Sequence, residues 1–93
     1  SGYPDCRAST MAAMERALRL GLDAPLDIVT PIIDRTKAQI VQLAASLPGC
    51  WEALARSWSC YDPQDGERPC GVCPACVIRA KGFADAGHED PAL

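Results

Sequence analysis

Residues 70–76 read CGVCPAC, and a fourth cysteine, Cys60, stands ten residues upstream in the run WSCYD. The full pattern is C-x9-C-x2-C-x2-C, carried by Cys60, Cys70, Cys73 and Cys76. Four thiolates at such short spacings suit a tetrahedral zinc ion, with Zn–S bonds of about 2.3 Å. Gly71 lets the backbone curl tightly behind Cys70. Pro74 fits the first turn of a helix, which puts Cys73 at or near its N-cap and Cys76 in its first turn. Free backbone N–H groups and the positive helix end stabilise thiolate charge there. With four cysteines the coordination is closed, so the site is expected to be structural and not catalytic.

Other chemistries compete for the same residues. Iron–sulfur clusters also use C-x2-C-x2-C, but the bacterial run continues with C-x3-C-P, and here that place holds Ala80. A disulfide framework would crowd Cys70, Cys73 and Cys76, and nothing supports a secreted setting. A CPAC redox pair would need a βαβ unit that the flanking pattern does not supply. Zinc leads, with disulfides and an iron–sulfur centre as the alternatives.

The rest of the chain bounds the answer. Its 93 residues make one small domain at most, and such a core gains from a metal staple or a partner chain. Nine basic against 12 acidic residues give a net charge of −3, which is not the footprint of a nucleic-acid binder. Apolar residues make up 48%, which argues against disorder. There is no apolar run of the roughly 18 residues that a membrane span needs. The start, SGYPDCRAST, lacks the charged and apolar regions of a signal peptide and has no initiator Met. It reads as a processed chain or a fragment.

Hydrophobic spacing predicts helices separated by turns. Residues 9–20 carry Met11, Met14, Ala17 and Leu18 on one face, with Ser9 or Thr10 as the cap and Gly21 closing the helix. The β-branched run 27–30, DIVT, before Pro31 predicts one short strand. Thr36 and Gln39 form a capping box before Ile40, Leu43, Ala44 and Leu47, and Pro48-Gly49 stops that helix. Trp51, Leu54, Ala55 and Trp58 predict a short third helix. The loop 61–69 is rich in turn residues, and a last helix runs from Pro74 to about residue 86 with Val77, Ala80 and Ala84 on its apolar side. A lone strand needs pairing partners elsewhere. The expected division is 1–59 as the helical part with the strand, 60–86 as the zinc-binding element with its helix, and 87–93 as a flexible tail.

Read outward from the cysteines, SCYD, CGVCPAC and RAKGF, together with SGYPDCR and TPIIDRTKAQI, resemble the 7-cyano-7-deazaguanine synthase (QueC, or ExsB) family over Ser1 to about Phe83. The resemblance implies an α/β, adenine-nucleotide α-hydrolase-like fold, of which this chain would be the C-terminal, mostly helical part with a four-cysteine zinc element. It implies an ATP-dependent ligase of the cytoplasm in queuosine biosynthesis. That enzyme takes 7-carboxy-7-deazaguanine and ammonia through an adenylate and an amide to the nitrile. Its cofactors would be one structural zinc, held by Cys60, Cys70, Cys73 and Cys76, and ATP with magnesium. The family is typically homodimeric. Its Ser-Gly-Gly-x-Asp-Ser pyrophosphatase loop is absent here, so this chain would need an N-terminal, ATP-binding half, in cis or in trans, to be active. That half would also hold the partners of the 27–30 strand.

By the same resemblance Tyr3, Asp5 and Arg7 would line the substrate pocket, where a guanidinium can grip a carboxylate bidentately, and Thr36 and Lys37 would contact ATP phosphates. No catalytic residue can be assigned. The plainer alternatives are an Asp5–Arg7 ion pair and a solvated Lys37. Cys6 and Cys50 read as quiet buried thiols, His88 as a solvated histidine, and Trp51 and Trp58 as core or interface residues. Arg56, Arg68, Arg79 and Lys81 surround the cysteines and would offset thiolate charge or simply face solvent. The rival to the synthase reading is a stand-alone structural zinc module that mediates protein interaction. No nucleic acid and no membrane is expected as a partner.

Overall fold

The computed structural model of the chain describes residues 2–93, and these fall into two units, one ending at Asp34 and the other spanning Arg35–Leu93. In the first, Tyr3 is extended and Pro4–Cys6 form a single 3-10 turn. Helix α1 follows at Ala8–Leu22. Its cap differs from the expected Ser9 or Thr10. Arg7 occupies that position, and Thr10 Oγ1 instead donates to the Pro4 carbonyl at 2.5 Å. At the other end Gly21 stays inside the helix, and Asp23 takes the left-handed turn at φ 49°. Asp is one of the few residues that tolerates this conformation.

The expected strand at 27–30 is not formed, and no strand occurs among the described residues. The segment is extended, but side chains of α1 take the place of a neighbouring strand. Ile28 N–H donates to Glu15 Oε2 at 2.9 Å, Arg19 Nε donates to the Leu26 carbonyl at 2.6 Å, and Arg19 also pairs with Asp27. Backbone groups need a partner of some kind, not a ladder in particular. No residue of α1 is buried, and Met14 and Leu22 are 51% and 60% exposed.

The second unit is built on helix α2, Lys37–Ser46, and helix α4, Pro74–Ala86. The capping box at the head of α2 forms as expected. Gln39 N–H donates to Thr36 Oγ1 at 3.2 Å and Thr36 N–H donates to Gln39 Oε1 at 2.8 Å. Between them lies the short helix α3, Cys50–Ala55, which ends before Trp58. Val41, Ala44, Cys76 and Phe83 form the core. The buried face of α4 is therefore set by Cys76, Gly82 and Phe83, and not by Val77, which is 54% exposed. Trp51 of α3 closes the core with an edge-on contact to Phe83 at 5.8 Å between ring centres, and with His88 at 5.0 Å.

Gly82 explains that rotation. A Cβ there would lie 2.8 Å from Lys37 Cβ and 2.9 Å from Lys37 Cγ, so only glycine lets the head of α2 approach α4 this closely. Gly82→Ala would improve intrinsic helix propensity by about 0.8–1 kcal/mol. The clash is expected to outweigh that gain and to lower the urea midpoint. A midpoint equal to or above the parent's would show that the helices can part without cost.

The seven residues after α4 are tied back. His88 N–H donates to the Phe83 carbonyl at 3.0 Å, and Asp90 pairs with Arg79. Among the described residues no helix is long and apolar enough to cross a membrane.

Candidate metal centre

The loop between Cys60 and Cys70 turns back on itself. Gln64 N–H donates to the Arg68 carbonyl at 2.7 Å, with Asp65 and Gly66 both in left-handed conformations at the tip. This isolated bridge returns the chain to its origin, so that Cys70 N–H donates to Cys60 Sγ at 3.2 Å. Gly71, at φ 77°, then makes the turn that residues with a Cβ rarely adopt. Beyond it Cys73 N–H donates to Cys70 Sγ at 3.3 Å. Cys73 is the N-cap of α4 with Pro74 after it, and its sulfur accepts from Cys76 N–H at 3.5 Å.

The outcome is a cluster. The sulfurs of Cys60, Cys70, Cys73 and Cys76 all lie within 4.8 Å of one another, and all four are free thiols. A zinc ion with Zn–S of about 2.3 Å needs sulfurs roughly 3.8 Å apart, so a small contraction would close the cage. The hydrogen bonding fits anionic sulfur. Cys60 Sγ accepts from both Asp62 and Cys70 N–H, at 3.3 and 3.2 Å, Cys70 Sγ accepts Cys73 N–H at 3.3 Å, and Cys73 Sγ accepts Cys76 N–H at 3.5 Å. Backbone N–H groups of Tyr61 and Cys76 hold the Cys73 thiol down to about 6, well below an ordinary cysteine. Burial pushes the neighbouring Cys76 thiol up to about 12. Metal binding would have to expel such a proton, which is what a dication does to a coordinating thiol.

Three of the four cations near the cysteines are paired with carboxylates. Arg68 pairs with Asp65, Lys81 with Asp85, and Arg79 with Asp90. The sequence offered Arg79 only as one of the cations near the cysteines and did not single out Asp90, yet the two form the least exposed ion pair among the described residues. Their side chains are 12% and 6% exposed. Burial alone would raise the Asp90 carboxyl, but its hydrogen bonds to Arg79 and Ala92 N–H outweigh that and hold it below the usual carboxylate range. The available signal was the i, i+3 spacing of Cys76 and Arg79, which puts both on one face of α4. A pocket of about 230 Å³ opens beside them, lined in part by Trp58, Cys60, Cys76, Arg79 and Asp90.

The other anticipated residues are not among the four that cluster. Tyr3, Asp5 and Arg7 are exposed around the first turn of the first unit, and no ion pair joins Asp5 to Arg7 among the described residues. The Cys6 thiol is exposed rather than buried and lies 3.6 Å from Asp5 Oδ1. Thr36 and Lys37 are in the second unit, where the Thr36 hydroxyl serves the cap and the Lys37 stem rests on Gly82. His88 is partnered by the Trp51 ring.

A closed set of four thiols, two of them at the N-terminus of α4, defines a small helical unit built around a metal-compatible cluster. The chain belongs to the QueC family: the family model described as queuosine biosynthesis protein QueC matches residues 1–87. It is 52% identical over 92 residues to the 7-cyano-7-deazaguanine synthase of Chromobacterium violaceum, covering 98% of this chain and 38% of that protein. The synthase of Laribacter hongkongensis is 47% identical over 93 residues, 100% and 39% of the two chains. That of Thermoplasma acidophilum is 44% identical over 95 residues, 98% and 38%. The chain thus spans about two-fifths of the length of these curated relatives.

Proposed function

We propose that this chain is the C-terminal, zinc-binding portion of an adenine-nucleotide α-hydrolase-like enzyme. That enzyme would be a cytoplasmic, ATP-dependent ligase making 7-cyano-7-deazaguanine from 7-carboxy-7-deazaguanine and ammonia. The observation that carries it is 52% identity to a 7-cyano-7-deazaguanine synthase across 98% of the chain. Zinc held by Cys60, Cys70, Cys73 and Cys76 would staple the second unit and take no part in the reaction. Tyr3, Asp5 and Arg7 would contribute to the deazapurine site, and Thr36 and Lys37 would face the phosphates of ATP with its magnesium. A cation at the head of α2 opposes the helix dipole, which is tolerable where an anion sits nearby. The ATP-binding half would be supplied in cis or in trans, and the complete enzyme would be a homodimer.

The test is reconstitution. The N-terminal part of the Chromobacterium violaceum synthase, truncated before the matching segment, is combined with this chain, in trans and as a fusion. Neither part alone is expected to form the nitrile, and the fusion is expected to form it with ATP consumption. Turnover by this chain alone, or a folded and inactive fusion, would contradict the proposal. A second reading, a stand-alone zinc module that docks on a protein, is favoured by exposed apolar residues around the cluster. Tyr61, Val72 and Val77 are 68%, 81% and 54% exposed. An inactive fusion that binds zinc normally would favour it.

A further inference from the structure

Three of the four cysteines arrive together, on CGVCPAC and the first turn of α4, but Cys60 comes from a separate arm. Cys60 Sγ accepts Cys70 N–H at 3.2 Å, but the residues just before it are held less directly. No backbone hydrogen bond to another segment involves residues 58–60 among the described residues. One side chain reaches across. Arg79 Nη2 donates to the Leu54 carbonyl at 3.3 Å, where α3 ends, and Arg79 Nη1 donates to Ser57 Oγ at 3.2 Å and to Ser59 Oγ at 3.4 Å. Ser59 immediately precedes Cys60, and Arg79 lies one turn beyond Cys76 on α4. The guanidinium is itself fixed. Its Nε and Nη2 bond both Asp90 oxygens, at 2.5 and 2.9 Å, and its Cζ lies 5.4 Å from the centre of the Phe83 ring. Asp90 in turn accepts Ala92 N–H at 2.9 Å.

The geometry points to Arg79, locked by Asp90, as the positioning residue that brings Cys60 to the other three sulfurs. The inference rests on reading the four cysteines as a metal site. Arg79 touches no sulfur. It acts by registering the 54–60 arm against the helix that carries Cys76, so that Cys60 is held in reach of the other three sulfurs. The planar fork suits this task, because five N–H donors in fixed directions can serve a carboxylate, two hydroxyls and a carbonyl at once, which a lysine cannot do.

The test compares the zinc-loaded chain with Arg79→Met, Arg79→Lys and Gly82→Ala. Two quantities are read: zinc release to an excess of colorimetric chelator, and the order in which the cysteines are alkylated, mapped by mass spectrometry. Partners that orient metal ligands are commonly worth about 10–100-fold in metal affinity. Both Arg79 variants are expected to lose zinc faster by roughly that factor, with Cys60 alkylated ahead of Cys70, Cys73 and Cys76. Gly82→Ala disturbs the same helix elsewhere, and is expected to melt earlier with the parental order of alkylation. Should Arg79→Met not fold, Arg79→Lys and Ser59→Ala give the same two readings. Parental release from folded Arg79 variants would overturn the inference. So would all four cysteines opening together, as in Gly82→Ala. A parent chain that binds no zinc would remove the metal reading itself, and this inference with it.

Discussion

Cys76→Ser is expected to abolish stoichiometric zinc binding and to unfold the end of the molecule that carries the cluster. Cys76 is 8% exposed and belongs to the core as well as to the cluster. Structural zinc contributes an apparent 10–16 kcal/mol, roughly, in small finger peptides at neutral pH. Small domains have a net stability of only about 5–15 kcal/mol. The metal and its absence should therefore be the largest difference the second unit can experience. Its apolar core, Val41, Ala44, Cys76 and Phe83, offers little else. A strong chelator should have the same effect as the substitution. Far-UV circular dichroism should report loss of helix signal, and Asp62 and Cys70 amides should lose hydrogen-exchange protection with their sulfur acceptors. Cys6→Ser and Cys50→Ser, outside the cluster, should keep the metal. An unchanged spectrum and melting curve after complete removal of zinc would refute a structural role.

Asp90→Ala should be the second most damaging change. It would leave the Arg79 guanidinium, 12% exposed, without its carboxylate. Breaking a buried pair from one side typically costs about 3–5 kcal/mol, because the remaining charge is desolvated and uncompensated. The urea midpoint of the zinc-loaded chain reads this directly. Replacing both partners, as Arg79→Met with Asp90→Leu, should recover part of the loss. The pH dependence has a definite sign. The Asp90 carboxyl is held below its unfolded value by Arg79 and Ala92 N–H, despite its burial. Its stabilising contribution is thus complete above about pH 4 and is lost as pH falls through the lowered value of the folded chain. Parent and Asp90→Asn should converge in stability at that acid end. A cost for Asp90→Ala under about 1 kcal/mol would place the pair with ordinary surface ion pairs.

Local chemistry was legible in the sequence wherever the determinant is itself local. The capping box of Thr36 and Gln39, Cys73 as N-cap with Pro74 after it, and the end of α4 at Ala86 all follow from residues a few positions apart. The cysteine spacing likewise anticipated a cluster, because a nine-residue turn-rich loop can close on itself. Where the deciding group is distant, the sequence misled. DIVT has the composition of a strand, but Glu15 and Arg19 of α1 satisfy its surroundings from the side. The apolar spacing of Val77, Ala80 and Ala84 suggested one face of α4. The buried face is another, because Gly82 admits Lys37 and the cluster draws Cys76 inward. A mid-helix glycine is a recognisable sign of close packing, though it does not name its neighbour. Asp90 stood in a polar tail, and only the fold shows that Arg79 collects it.

The most direct test is the metal itself. The chain, purified without added zinc, should carry one zinc ion by plasma mass spectrometry, and X-ray absorption at the zinc edge should show four sulfur neighbours at about 2.3 Å with no light-atom ligand. A metal-free chain, a nitrogen or oxygen neighbour in the zinc shell, or an intact mass showing that the cluster cysteines have been oxidised to disulfides would contradict the four-thiolate cage.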